Sequence, residues 1–311
     1  MSSFISRTFF LLLALSLPAA ASEKPSSIRI GYQKFSTLSY VRSHKTLDQR
    51  LEPLGIKVEW IAFPAGPQLL EALGVNGIVF GETGNSPPIF AQAAGIPFVY
   101  AAYRPANNHI DGIVVPKGSS IQSLKDLKGK KVAVTKGSSS HWLLLKALES
   151  AGLTFQDIQP VYLPPPDALP AFLSNRIDAW AIWEPYKTVV VSKNGARQLT
   201  DSEGISQAYG FYLARRDFAE NHPDLLKIIK EEIQTIEKRN DENKQAAAEE
   251  AAAEIRIPVD VLLSISQKNK PGIFDITPEV ISYQQEIADK FLEIGLIQKK
   301  LVVSDALPQP K

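Results

Sequence analysis

A chain of 311 residues with 44% hydrophobic and 22% charged residues is long enough for two α/β lobes and too apolar to stay disordered. Its 34 basic residues balance 33 acidic ones, which leaves no surplus of positive charge for nucleic acid or anionic lipid, so neither is expected as a partner. There are no cysteines, which excludes disulfides, thiolate metal sites, a Cys nucleophile and a lipid-modified N-terminal Cys. Residues 1–22 read as a secretory signal peptide: Arg7 is the only charge, 9–17 is an apolar run, and Pro18 leads into Ala19-Ala20-Ala21. The run is shorter than the roughly 20 apolar residues that a spanning helix needs. Cleavage near Ser22, the periplasm as compartment and no membrane insertion afterwards are therefore expected.

Beyond the signal the pattern alternates strand, loop and helix. Strands are predicted at 27–32, 56–62 and 77–80, with helices at 46–54, 67–73 and 87–94. From Ile110 a second unit of the same kind begins, with a strand at 131–134, a helix at 141–151 and Trp180 and Trp183 on or just past a later strand. After a strand at 210–216 the texture turns to long helices, where Leu226, Ile229, Ile233 and Ile236 form a stripe. The expected division is lobe 1 over 23–111, lobe 2 over 112–209, and a return to lobe 1 over 210–311.

Three Gly-Ser loops precede helices: 81–88 with Thr83 and Ser86, 135–141 with Ser138 to Ser140, and 31–39 with Gln33 and Ser36. Helix N-termini carry unpaired N–H groups and the positive end of the helix dipole, so each loop reads as an anion site. Each also reads as plain N-cap chemistry. Repetition across two lobes points to one anion held between them. Trp183 reads as an apolar wall, Trp180 as core, and Glu184 as a partner of a helix dipole or a ligand contact. The four histidines show no metal-binding spacing, and no GxSxG, Walker or GxGxxG motif is present, so neither catalytic residues, metal nor cofactor is expected.

The stretches "LGIKVEWIAFPAGPQLLEAL", "TGNSPPIFAQAAGIPFVY", "KGKKVAVTKGSSSHWLLLKALESAGL", "DAWAIWEPY" and "GFYLARRDFAE" resemble the aliphatic sulfonate-binding proteins of ABC importers, over nearly the whole chain after the signal. The resemblance implies a two-lobed α/β type II periplasmic binding fold with two hinge crossings and ligand in the interlobe cleft. By motif it places Gln33, Thr83, Gly84, Asn85, Gly137, Ser138, Ser139, His141, Trp183, Glu184 and Tyr186 at the ligand. It implies a monomer that captures an organosulfonate and hands it to a membrane permease, with taurine, nitrate or a pyrimidine as alternative solutes. An enzyme on this fold is a further alternative; its desulfinase type relies on a Cys that this chain lacks. Glu82 departs from the family pattern, and 103–112 does not match it. Sulfonate stays ionised and can be held by neutral amides and hydroxyls. Affinity is therefore predicted to be nearly flat from about pH 5 to 8 apart from His141. Removing Thr83 or the Ser138 and Ser139 hydroxyls is predicted to weaken binding by roughly 1.5 to 3 kcal/mol.

Overall fold

A computed structural model describes residues 24–309, so the expected signal peptide at 1–22 lies outside the described residues. Three parallel strands open the chain: β1 (Ser27–Gln33), β2 (Lys57–Phe63) and β3 (Phe80–Gly84), connected by α1 (Thr37–His44), α2 (Thr46–Leu51) and α3 (Gly66–Gly74). Helix α4 (Pro87–Ala93) leads to β4 (Phe98–Arg104), and the chain then crosses to β5 (Asp111–Val115) in a second sheet. There it continues as β6 (Lys131–Val134), α5 (Ser139–Ser150), β7 (Gln159–Tyr162), α6 (Pro165–Leu173), β8 (Ala179–Trp183), α7 (Tyr186–Asn194) and β9 (Arg197–Asp201). A second crossing delivers β10 (Gly210–Arg215) back to the first sheet. The helices α8 (Arg216–Asn221), α9 (Pro223–Glu242), α10 (Lys244–Ile255), α11 (Val259–Ser266) and α12 (Pro278–Glu293) follow.

The sheet orders are β2-β1-β3-β10-β4 and β7-β6-β8-β5-β9. Both sheets follow one plan, with a single antiparallel strand set next to the edge, and in each the antiparallel strand is the one that has just crossed from the other lobe. All five residues of β5 and the first five of β10 are buried. This is why "DGIVV" and "GFYLAR" read as continuous apolar runs and not as alternating ones.

One expected element moves. The strand anticipated at 77–80 is β3 at Phe80–Gly84, so Gly81, Glu82, Thr83 and Gly84 are strand and not loop. The cause is non-local: β10 pairs antiparallel with β3 as far as Gly210 against Gly84, which extends the ladder through the glycines. In the long helix α9, Leu225, Ile229, Ile233 and Ile236 are buried and pack with Leu38, Val41, Leu47 and Leu51 of α1 and α2. Each such side chain contributes about 1.5 to 3 kcal/mol by leaving water. Helix α12 serves both lobes. Its Phe291 meets Phe90 of α4 and Trp142 of α5, the Trp142 indole donates to Tyr283 Oη at 2.9 Å, and Lys290 pairs with Glu149 at 2.8 Å.

Candidate functional site

The cleft between the two sheets holds a cavity of about 100 Å³. The first lobe lines it with Gln33, Glu82, Thr83, Gly84 and Arg104, and the second with Asp111, Ser138, Ser139, Trp183 and Glu184. The walls are polar and the space fits several waters or a small organic ion, since one water needs roughly 10–15 Å³ measured this way. Within the cleft the lobes come close at Gly84. A Cβ built on Gly84 would stand 2.8 Å from Ser139 Cβ, so only glycine lets the end of β3 approach the start of α5 this closely.

Ser138 is the N-cap of α5. Its extended backbone (φ −81°, ψ 169°) places Oγ to accept from His141 N at 3.3 Å and to donate to Thr135 O at 2.7 Å. Ser139 donates to Asp111 Oδ1 at 2.9 Å, and Thr83 donates to the Gly84 carbonyl at 3.0 Å. The three hydroxyls therefore already have acceptors within the protein. What the cleft offers an anion is the first turn of α5, whose N–H groups no intrahelical carbonyl can reach and which carries the positive end of the dipole. Ser138→Ala should accordingly act first as a lost cap. A fall of about 1 kcal/mol in stability is expected, to be read from the urea midpoint of ligand-free protein; an unchanged midpoint would mean that the cap is not formed.

The start of α1 is already occupied by the protein itself. Glu82, 4% exposed, turns Oε2 to Leu38 N at 3.3 Å and so supplies its own carboxylate where the 31–39 loop offers an anion site. Burial pushes the Glu82 carboxyl above its usual range, and Arg104, whose Nη2 lies 3.6 Å from Oε1, opposes that shift. Gln33 braces the strand from the other side by donating to the Glu82 carbonyl at 3.0 Å.

Asp111 is 1% exposed, and burial pushes its carboxyl up to about 7, against the hydrogen bond from Ser139 and the charge of Lys187. Glu184 is also committed: it accepts from Thr188 N at 3.0 Å and Thr188 Oγ1 at 2.8 Å, and pairs with buried Lys187 at 3.1 Å. Lys187 in turn donates to the His109 carbonyl on the first crossing.

Seven of the eleven residues placed at the ligand from the sequence line the cavity: Gln33, Thr83, Gly84, Ser138, Ser139, Trp183 and Glu184. Asn85, Gly137 and His141 stand behind it. Asn85 donates to the Gln207 carbonyl at 2.8 Å and so ties β3 to the second crossing. Gly137 adopts φ +77° against the Phe90 ring. His141 is fully buried among Phe155, Tyr162 and Phe291, with Nδ1 accepting from Gly137 N at 3.2 Å, and burial lowers it to about 4. Trp180 is fully buried beside Phe172, and Tyr186 packs on Trp180. The sequence reading missed Arg104 and Asp111 as lining residues. Both lie in the stretch 103–112 that matched no expected pattern, and the one available signal was an arginine and an aspartate flanking a break between two apolar strands.

The model of the NMT1-like family matches residues 21–256. The chain belongs to the NMT1-like family. Its two lobes superpose on those of the periplasmic aliphatic sulphonate binding protein SsuA from Escherichia coli, with a TM-score of 0.82 and 40% identity, over 93% of this chain and 94% of that one. The alkanesulfonate-binding protein SsuA from Xanthomonas axonopodis pv. citri bound to MOPS is 35% identical with a TM-score of 0.88, covering 92% of this chain and 99% of that chain. A taurine-binding periplasmic protein of Escherichia coli is 30% identical over 179 residues, 56% of this chain and 55% of its own length. The two-lobed α/β fold is thus that of the solute-binding members of the NMT1-like family.

Proposed function

We propose that the protein is an extracytoplasmic solute-binding protein that encloses an aliphatic sulfonate between its lobes and delivers it to the permease of an ABC importer. The observation that carries this reading is the approach of Gly84 to Ser139, which sets the N-terminus of α5 against the end of β3 in a polar cleft. The 40% identity to an aliphatic sulphonate binding protein across nearly the whole chain supports the solute class. A periplasmic location and action as a monomer belong to the same proposal, as do hinges at the two crossings, 105–110 and 202–209. The chemistry is capture and release without turnover.

A thermal-shift screen of short alkanesulfonates, taurine, nitrate and pyrimidines on the mature chain tests the reading. A ligand at a hundred times its dissociation constant adds about 2.7 kcal/mol to native stability. Stabilisation by alkanesulfonates above all others is expected, and stabilisation by nitrate or a pyrimidine alone would replace the sulfonate.

Asp111 changes the expected pH response. Its folded carboxyl lies well above an unfolded value near 4, so it holds a proton up to about pH 7, and an anion bound at Ser139 favours that protonated form. Affinity should be full below about pH 7 and fall as the pH rises through it, approaching tenfold per unit once proton uptake accompanies binding. His141, held neutral by burial, contributes nothing over the same range. Calorimetry between pH 5.5 and 9 checks this; a flat profile, or one that Asp111→Asn leaves unaltered, would remove Asp111 from the coupling.

A further inference from the structure

The cavity does not end at Arg104. A second one adjoins it, sharing Phe35, Arg104, Ile110 and Asn269, and runs on between α1, α9 and α10 past Glu237, Asp241 and Lys244. Strand register makes the junction. Gly210 pairs with Gly84 on one side and with Arg104 on the other, so the three residues stand in a row across the sheet, with strands about 4.8 Å apart. A Cβ on Gly210 would come within 2.8 Å of Arg104 Nε, which shows the guanidinium lying across the bare glycine backbone. Glu82, two residues before Gly84 on β3, shares its face.

The charges immediately around Arg104 do not balance. Lys244 is taken by Asp241 at 3.0 Å, and Lys270 stands exposed on the rim. Arg104 is left facing two carboxylates, Glu82 and Glu237, and Glu237 pushes the Glu82 carboxyl further up. Glu237 accepts from the Thr37 hydroxyl and from Gly272 N. Arg104 Nε has no hydrogen-bond partner among the described residues. At Arg104 itself two carboxylates thus face one guanidinium, which leaves a local excess of negative charge or a proton that an incoming cation would displace.

We infer that Glu82 and Glu237, set around Arg104, select sulfonates by the charge at the far end of the molecule, accepting a protonated amine and rejecting a second anion. The inference rests on the sulfonate reading above. A sulfonate seated at Gly84 and Ser139 extends its tail over Gly210 toward the second cavity. An ammonium there joins two carboxylates that share one guanidinium, whereas a carboxylate would be a third.

Calorimetry at pH 7 on the mature chain with pentane-1-sulfonate, 4-aminobutane-1-sulfonate and 4-sulfobutanoate, matched in length, tests this. The amine is expected to bind at least tenfold tighter than the alkyl compound, and the carboxylate at least tenfold weaker. Glu82→Gln, which keeps an acceptor for Leu38 N, and Glu237→Gln should each draw the three affinities together. Pentane-1-sulfonate binding with no discrimination in the wild type, or an amine-to-alkyl ratio untouched by both variants, overturns the inference and leaves the sulfonate reading standing. Binding of none of the three overturns both. If either variant fails to fold, the wild-type comparison decides alone.

Discussion

Replacing Gly84 with valine should weaken sulfonate capture by a hundredfold or more while both lobes stay folded, a loss of about 2.8 kcal/mol or greater. The physical reason is contact between lobes. A single methyl at this position already meets Ser139 Cβ at 2.8 Å, and that atom is anchored to the first turn of α5 and cannot swing aside. Valine is otherwise at home in the strand, because β3 is paired with β10 at this point and asks for no left-handed backbone. The damage is therefore confined to closure: a ligand that reaches only one lobe loses the contacts that make the closed arrangement preferable. Gly84→Ala should fall between wild type and valine. Calorimetry combined with small-angle scattering reads both parts, with ligand compacting the wild type and not Gly84→Val. Wild-type affinity in Gly84→Val would mean that the solute does not sit between these two residues.

Lys187→Met should destabilise the second lobe by about 3 to 5 kcal/mol, the range for stripping one partner from a buried ion pair. Lys187 and Glu184 are 3% and 7% exposed, and the ammonium also serves the His109 carbonyl and moderates Asp111. Without it, two carboxyls share a site with no cation between them. Three of the four tryptophans, Trp142, Trp180 and Trp183, lie in α5 or β8, so urea unfolding followed by tryptophan fluorescence, repeated in a Trp60→Phe background, reports this lobe. The double change Lys187→Met/Glu184→Gln, which keeps an acceptor for Thr188, should recover most of the loss. If the single change costs under about 1 kcal/mol, the pair is better hydrated than its burial implies.

The loops that deliver helix N-termini were legible because their signals are local: a strand run, then Gly, Ser or Thr, then an apolar helix. What local pattern could not show is the side on which each residue ends up. In α5 successive side chains turn by about 100°, so Ser139 faces the cleft while His141, two positions on, points into the aromatic cluster behind it. Both look equally suited to an anion when read along the chain. Arg104 and Asp111 were missed for a different reason. Their places depend on β10 and β5 entering from the opposite lobe, and Arg104 reaches the cleft only because Gly210, more than a hundred residues away, pairs beside it. Glu82 looked anomalous in its loop because its carboxylate reaches Leu38 N at the start of α1, a partner 44 residues away that no local pattern reveals.

The origin of β10 bears on how the molecule is assembled. The second sheet is built wholly from residues 111–201, a single uninterrupted stretch, whereas the first sheet lacks the strand between β3 and β4 until 210–215 arrives. In a chain that emerges N-terminus first, the half that begins the sequence is thus the half that finishes last. Until β10 docks, β3 and β4 each expose an unpaired edge. The lobe that comes later in the sequence is free to fold first and to stand as a finished body beside its waiting neighbour.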